Sequence, residues 1–119
     1  MAVTVRGINS AKGVIRLAIC PVNTGFPECK GHELRIASLP IANRQASIQF
    51  AGLPAGTYGI AVFHDANNNN KLDTFMGIPR EGYGFSRNPP FRPRAPRFAE
   101  AALTVSGATS EVITLRYIL

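Results

Sequence analysis

The chain has 119 residues, of which 45% are apolar and 17% charged, with a formal charge of +6 at pH 7. This composition excludes an intrinsically disordered chain, and the length predicts a single domain, residues 1–119, that can bury a core of its own. No apolar run approaches the roughly 18–20 residues that a membrane-spanning helix needs. Eleven glycines and nine prolines favour many short strands over long helices.

Alternation of apolar and polar residues predicts strands along most of the chain. The strongest is TYGIAVFH at residues 57–64, which is apolar on both faces and therefore predicts a central, buried strand. The other predicted strands lie at about residues 3–8, 15–20, 46–50, 98–105 and 111–117, and residues 33–39 form a weak strand or a turn. One helical turn at residues 99–103 is the alternative to the start of the strand at 98–105. About seven short strands separated by turns predict an all-β sandwich.

Residues 65–97 form a connection that is too long for an ordinary turn, and loops of such length are usually functional or disordered. Six large apolar side chains are distributed along it, which predicts an ordered long loop that folds back on the sandwich. These are Phe75, Met76, Ile78, Tyr83, Phe85 and Phe91.

Cys20 and Cys29 lie nine positions apart. The spacing predicts a disulfide that closes a short loop, for which chain entropy gives roughly 2–3 kcal/mol of stabilisation. Two free thiols are the alternative, and no CxxC spacing supports zinc. A disulfide predicts an exported protein, periplasmic or secreted. The first strand follows Met1 and Ala2 directly, so no signal peptide is visible, and export would mean that a leader had been removed.

Residues 65–73, DANNNNKLD, match the first nine positions of an EF-hand calcium loop. Ca²⁺ takes about six to eight oxygen ligands, and a tightly coiled loop directs alternate side chains inward. Asn70 falls where such a loop needs a positive φ, which asparagine tolerates better than most residues. The predicted ligands are Asp65, Asn67, Asn69, Lys71 (through its backbone carbonyl) and Asp73.

Position 12 of the loop departs from this pattern, because Met76 stands where a bidentate glutamate is expected. Glu81 is the nearest later carboxylate and becomes the candidate extra ligand. Two or three carboxylates predict weak calcium binding, with a Kd on the order of 10⁻⁴–10⁻³ M. The alternative is a polar turn without metal, in which the asparagines bond to their own backbone as Asx-turns.

The segments 52-GLPAGTYGIAVFHDANNNNKLD-73 and 77-GIPREGYGFS-86 resemble the motifs of the DUF2141 family of small exported bacterial proteins. There, a PxGxYaxxxxHDxNxNxKLD segment runs into GxPxEGYGFS, and the resemblance covers nearly the whole chain. It implies an Ig-like or transthyretin-like (prealbumin-like) sandwich in the cell envelope or secreted, and it implies no activity. The loop also resembles the DxNxNGxxD loops of Cna-B-type surface modules, with Asn70 in place of their glycine.

His64 precedes the acidic loop and has two interpretations. It is either a strand-capping side chain that bonds loop carbonyls, or a ligand or general base. The second interpretation gives the alternative function of a metal-dependent hydrolase that uses His64 with nearby carboxylates. No nucleophile elbow and no phosphate-binding glycine loop accompanies it, so we expect no enzyme activity.

Five of the ten arginines lie between Arg80 and Arg97, most of them in RNPPFRPRAPR at residues 87–97. This segment is either a solvated, polyproline-like loop or a binding site for a polyanion. Nucleic acid is disfavoured because neither a folded basic face nor a row of stacking aromatics is evident. The expected partner is a cell-envelope protein, a glycan or a polyanion, bound by a module that calcium stabilises.

Overall fold

The structure is a computed structural model that describes residues 1–72, 74–75, 78–92 and 94–118. Ten strands and one short helix lie in these residues. They are β1 (Ala2–Arg6), β2 (Val14–Pro21), β3 (Arg35–Leu39), β4 (Ala46–Gln49), β5 (Gly56–Asp65), β6 (Thr74–Phe75), β7 (Ile78–Pro79), β8 (Tyr83–Phe85), α1 (Phe98–Ala101), β9 (Leu103–Val105) and β10 (Ser110–Thr114).

Two sheets pack against each other. In the first, β1 lies between β10, to which it is parallel, and β4, to which it is antiparallel. The second is antiparallel, in the order β3-β2-β5-β8, and β9 pairs with β5 as well. A separate hairpin joins β6 to β7. The predicted all-β sandwich is confirmed, while the Ig-like or transthyretin-like topology stays a prediction.

The core lies between the sheets, where alternate residues of each strand point inward. Val3 and Val5 contribute from β1, and Ile15, Leu17 and Ile19 contribute from β2, all at most 2% exposed. β5 has partner strands along both edges, as predicted for a central strand. Its last two residues are also buried, although both are polar, and the candidate site begins there.

The predicted strand at 98–105 is wrong in its first half, where α1 precedes β9. Phe-Ala-Glu-Ala contains good helix formers, and the Glu100 carboxylate accepts a bond from the backbone N–H of Arg97 at 2.8 Å. The region 65–97, predicted as one loop, contains three short strands, and β8 extends the second sheet. The three residues of β8, Tyr-Gly-Phe, are too few for an alternating pattern that would predict a strand.

The last predicted strand ends early, at Thr114 rather than Tyr117. The backbone of Leu115 still donates to Arg6 of β1, but the next residue, Arg116, exchanges backbone bonds with Tyr83 of β8 at 2.8 and 3.1 Å. The chain therefore passes from the first sheet to the second at this point. This crossing places Arg116 beside Tyr83, the first residue of β8.

The predicted disulfide is present between Cys20 and Cys29, and it closes the irregular segment after β2. Both cysteines are buried, and their Cα atoms lie 6.2 Å apart. Within the residues described, no helix has the length and apolar character to cross a membrane.

Candidate functional site

Asp65 ends β5 and is completely buried, with 0% of its surface exposed. Its Oδ2 accepts bonds from Arg16 Nε at 3.0 Å and from the backbone N–H of Asn70 at 2.8 Å. Its Oδ1 accepts a bond from the backbone N–H of Asn69 at 3.0 Å. Position 1 of the predicted calcium loop is therefore the acceptor around which the loop coils.

Two opposing influences set the pKa of Asp65. Burial raises it, but the bonds from Arg16, Asn70 and Asn69 together outweigh burial, and the pKa lies below its usual value. The carboxylate is therefore ionised at neutral pH. Arg16 supplies a compensating positive charge, and its Nη2 also donates to Asn68 Oδ1 at 2.6 Å.

Gly13 immediately precedes β2, and it allows the connection between β1 and β2 to pass close to the acidic loop. Its φ is +69°, and a Cβ atom there would collide with the backbone carbonyl oxygen of Asp65. Val14, the next residue, pairs with Asp65 in the β2–β5 ladder. Only glycine permits both this conformation and this approach.

The asparagines after Asp65 form consecutive Asx-turns. Asn67 Oδ1 accepts a bond from the N–H of Asn69 at 3.3 Å, and Asn69 Oδ1 accepts one from the N–H of Lys71 at 3.0 Å. Asn70 has a φ of +62°, as its place in the loop required, and Asn68 has one of +55°. Positive φ values and Asx-turns of this kind are features of calcium loops and of metal-free polar turns alike.

Glu81 joins the loop from fifteen residues away. Its carboxylate is buried, and Oε2 accepts a bond from the N–H of Ala66 at 2.9 Å. The neighbouring Gly82 accepts a bond from the N–H of His64 at 2.8 Å. Glu81, the predicted extra ligand, therefore lies next to the predicted loop. Glu81 and Gly82 immediately precede β8.

The structure brings together Asp65, Asn67, Asn69, Lys71 and Glu81, whereas Asp73 lies outside the described residues. In the part of the chain that is described, no three His, Cys, Asp or Glu side chains cluster as metal ligands. A calcium ion here would therefore depend on amide and carbonyl oxygens besides the carboxylates. A carboxylate oxygen has about two acceptor positions, and Asn69 occupies one on Asp65 Oδ1.

His64 is buried, and both of its ring nitrogens have partners inside the fold. Nε2 lies 2.7 Å from the carbonyl oxygen of Lys12, so it carries the proton and donates. In the neutral ring Nδ1 accepts from the Tyr117 hydroxyl, which lies 2.9 Å away, and this hydroxyl accepts from the N–H of Asn9. The geometry is that of a strand-capping histidine. A hydrolase that uses His64 would first have to break one of these bonds.

A cavity of about 330 Å³ lies between β8, the arginine- and proline-rich segment, and the end of the chain. Its charged lining residues are Arg92, Arg94, Arg116 and Glu100, and its aromatic ones are Tyr83, Phe85 and Phe91. We call it the arginine cavity. Sequence analysis singled out the 87–97 segment but missed Glu100 and Arg116, because no local pattern links either residue to that segment.

The cations of the arginine cavity differ in their partners. Glu100 accepts bonds from Arg94 Nη1 at 2.8 Å and from Arg92 Nε at 3.3 Å. Arg94 is the main cause of a Glu100 pKa lowered to about 2, helped by the N–H of Arg97. Arg116 instead lies over the ring of Phe91, with its guanidinium carbon 5.8 Å from the ring centre. Among the described residues, no carboxylate forms an ion pair with Arg116.

Comparison with known families matches residues 3–113 to the model of DUF2141, described as an uncharacterized protein conserved in bacteria. Comparison with curated proteins and with solved structures gave no match. The match runs from the second residue of β1 to the last but one of β10, and it includes the acidic loop and β8. The chain therefore belongs to the DUF2141 family.

Proposed function

We propose that this protein is an exported, non-enzymatic module that binds a partner through residues 83–92 and 94–96. In this proposal Ca²⁺ stabilises the loop at residues 65–73, and the loop holds the binding surface in place. The observation that carries the proposal is the hydrogen bond from the N–H of Ala66 to the Glu81 carboxylate. Since β8 begins two residues after Glu81, this bond connects the loop to β8.

The route from the loop to the surface is short. Asp65 organises the loop, Glu81 bonds to it, and β8 follows as one wall of the arginine cavity. β8 pairs with β5 and, through Tyr83, with Arg116. An ion that rigidifies the loop would therefore also restrict the backbone of β8. Calcium would be structural, bound by loop oxygens rather than presented to a substrate.

Two features support weak calcium binding. The Asp65 carboxylate is ionised, and Glu81 supplies a second buried carboxylate next to the loop. Arg16 lies against Asp65 and lowers the net negative charge, which opposes a cation. A Kd on the order of 10⁻⁴–10⁻³ M, the range of extracellular modules, fits this balance.

The disulfide supports export. Such bonds persist in the periplasm and outside the cell and are rare in the cytosol. The bond between Cys20 and Cys29 is buried and closes a segment without regular strands. In addition, a calcium Kd on the order of 10⁻⁴–10⁻³ M is typical of extracellular modules.

Thermal melts of the oxidised protein in CaCl₂, MgCl₂ and EDTA test the calcium role. Binding to the native state alone adds about 1.4 kcal/mol when free calcium is ten times Kd. For a chain of this size that corresponds to an increase in Tm of about 4–8 °C. We expect this increase in CaCl₂ and a much smaller one in MgCl₂. Identical melts in all three buffers would contradict the calcium role.

Two matched variants sharpen this test. Asn67→Ala removes a predicted ligand but leaves the three donors to Asp65 in place, so the Tm in EDTA should hardly change while the calcium response is lost. Asn70→Gly changes a neighbouring asparagine that supplies no predicted ligand, and glycine suits its φ of +62°. It should keep the calcium response. If Asn67→Ala keeps the same increase in Tm with calcium as Asn70→Gly, Asn67 is not a ligand.

A further inference from the structure

We infer that the arginine cavity binds an acid carried on a small ring, with the acid group on Arg116 and the ring against Phe91. Sugar acids and aromatic carboxylic acids share this chemistry. The inference rests on the proposed partner-binding role of residues 83–92 and 94–96 and names the chemistry of what they bind.

The net positive charge of the cavity favours binding of an anion. Three arginines and one glutamate line it, which leaves a net charge of +2. Glu100 pairs with two of the arginines, whereas Arg116 is half-buried with an aromatic ring beside it and no carboxylate partner among the described residues. A guanidinium group that is partly shielded from water gains from a planar oxyanion that accepts two parallel bonds.

The walls of the cavity call for a ring. Phe91 is 55% exposed although it is large and apolar, and Tyr83, Phe85 and several prolines add further apolar surface. A bare inorganic anion would pair with the charge and leave these walls in water. A volume of about 330 Å³ lies at the lower end of the roughly 300–1,000 Å³ typical of ligand pockets, which suits a single small ring compound.

The cavity is built by bonds that hold its two sides together. Asn88 donates from Nδ2 to the carbonyl of Val112 at 2.9 Å and accepts at Oδ1 from the N–H of Thr114 at 2.8 Å. Both bonds attach the arginine- and proline-rich segment to β10. On the other side, Phe85 makes edge contacts with the rings of Tyr83 and Phe26, with ring centres 5.8 and 5.9 Å apart. A preformed site loses less entropy when a ligand binds.

Titration of the full, oxidised chain by NMR tests this inference with four probes. Glucuronate carries an acid on a sugar ring, benzoate carries one on an aromatic ring, glucose is the neutral sugar, and inorganic phosphate is the anion without a ring. We expect glucuronate or benzoate to shift the amide signals of residues 83–92 and 114–116, with glucose and phosphate at least about tenfold weaker. The stronger of the two acids identifies the type of ring.

Three variants test the named contacts. Arg116→Gln should weaken binding of the preferred acid about tenfold or more, because it removes a charged donor. Arg35→Gln removes the same charge from a half-buried arginine on β3, far from the cavity lining, and should leave binding unchanged. Phe91→Ala should weaken binding of the acid while leaving that of phosphate unaltered. Folding of each variant is verified by its amide spectrum before titration.

Three results would overturn the inference. These are no binding of either acid at any soluble concentration, equal weakening by the Arg116 and Arg35 variants, or binding of phosphate as strong as that of both ring acids. Each titration is run in CaCl₂ and in EDTA. Acid binding in EDTA establishes the cavity even if the calcium melts show no shift, whereas a calcium shift without acid binding leaves the calcium proposal intact and removes this one.

Discussion

The acidic loop that begins at Asp65 and the arginine cavity differ in how they use charge. The short segment from Glu81 through β8 connects the two, with the loop at one end and the cavity at the other. In the loop, a buried carboxylate receives three donors from the protein itself, and a second buried carboxylate bonds to the backbone. In the cavity, the charged groups reach solvent, and one guanidinium group has an aromatic ring rather than a carboxylate as its neighbour.

The difference indicates that charge serves the fold in one region and is available to a ligand in the other. Removing a partner from a buried ion pair is costly, because the remaining charge has lost its water as well. Exposed ion pairs contribute little to stability, since water replaces each lost partner. Substitutions of the buried carboxylates in and beside the loop, and of the residues packed against them, should therefore affect folding, and those in the cavity should affect binding. The following predictions test this division, from the largest effect to the smallest.

Asp65→Asn should have the largest effect, a loss of about 3 kcal/mol in the free energy of unfolding. The asparagine lacks the negative charge that pairs with Arg16. Its side-chain amide N–H group would also face groups that themselves donate hydrogen bonds, such as Arg16 Nε and the N–H of Asn70. Urea unfolding in EDTA measures this loss without any contribution from calcium. Glu111→Gln is the control, because Glu111 also accepts a backbone N–H, that of Arg87, but is half-exposed. Its loss should stay below about 1 kcal/mol, and similar losses for both variants would contradict the comparison.

Gly13→Ala should cost about 2 kcal/mol, because the new methyl group meets the carbonyl oxygen of Asp65 and the φ of +69° is strained for alanine. Gly52→Ala separates the two causes. Gly52 has the same φ but open space around it, so only the conformational strain of about 1 kcal/mol applies. Chemical unfolding of both variants checks the difference. Equal losses would mean that the loop moves freely away from Gly13.

Acid titration of Glu100 should have the smallest effect on stability, because its arginine partners are exposed and water screens their ion pairs with it. Its pKa in the folded protein is lowered to about 2 from an ordinary value of 4.5, chiefly by Arg94. A lowered pKa stabilises the fold above the ordinary value, and this contribution is lost as the pH falls through about 2. The carboxyl carbon signal of Glu100 should titrate near that pH, and Arg94→Gln should move the midpoint toward 4.5. A midpoint near 4.5 in the unaltered protein would show that the ion pair is absent.

Features that depend on nearby residues could be predicted from the sequence. Alternation placed β1, β2, β4 and β5, the spacing of the cysteines indicated the disulfide, and the DxNxN pattern identified the loop coiled around Asp65. In β5 even the central position followed from its two apolar faces. These properties arise within about ten residues of chain, where periodicity and spacing carry the information.

Features that arise when distant segments meet could not be predicted. Arg116 reaches the cavity because the chain changes sheets after Thr114, and no local pattern signals that crossing. Likewise α1 was predicted as the start of a strand, with one helical turn only as the alternative, because four residues are too few to show a helical period. Its first turn includes the bond from the N–H of Arg97 to Glu100. The sequence therefore pointed to the acidic loop and to only one side of the arginine cavity.

The most direct test of this division is a pair of amide NMR maps of the same protein, one with CaCl₂ and one with the ring acid that binds most strongly. The account predicts that calcium shifts the signals of residues 65–73 and 81 first, with smaller shifts along β8. The acid should shift those of residues 83–92 and 114–116 and leave the loop unchanged. Two maps centred on the same residues, or a calcium map centred on the cavity, would contradict a structural loop that supports a separate binding surface.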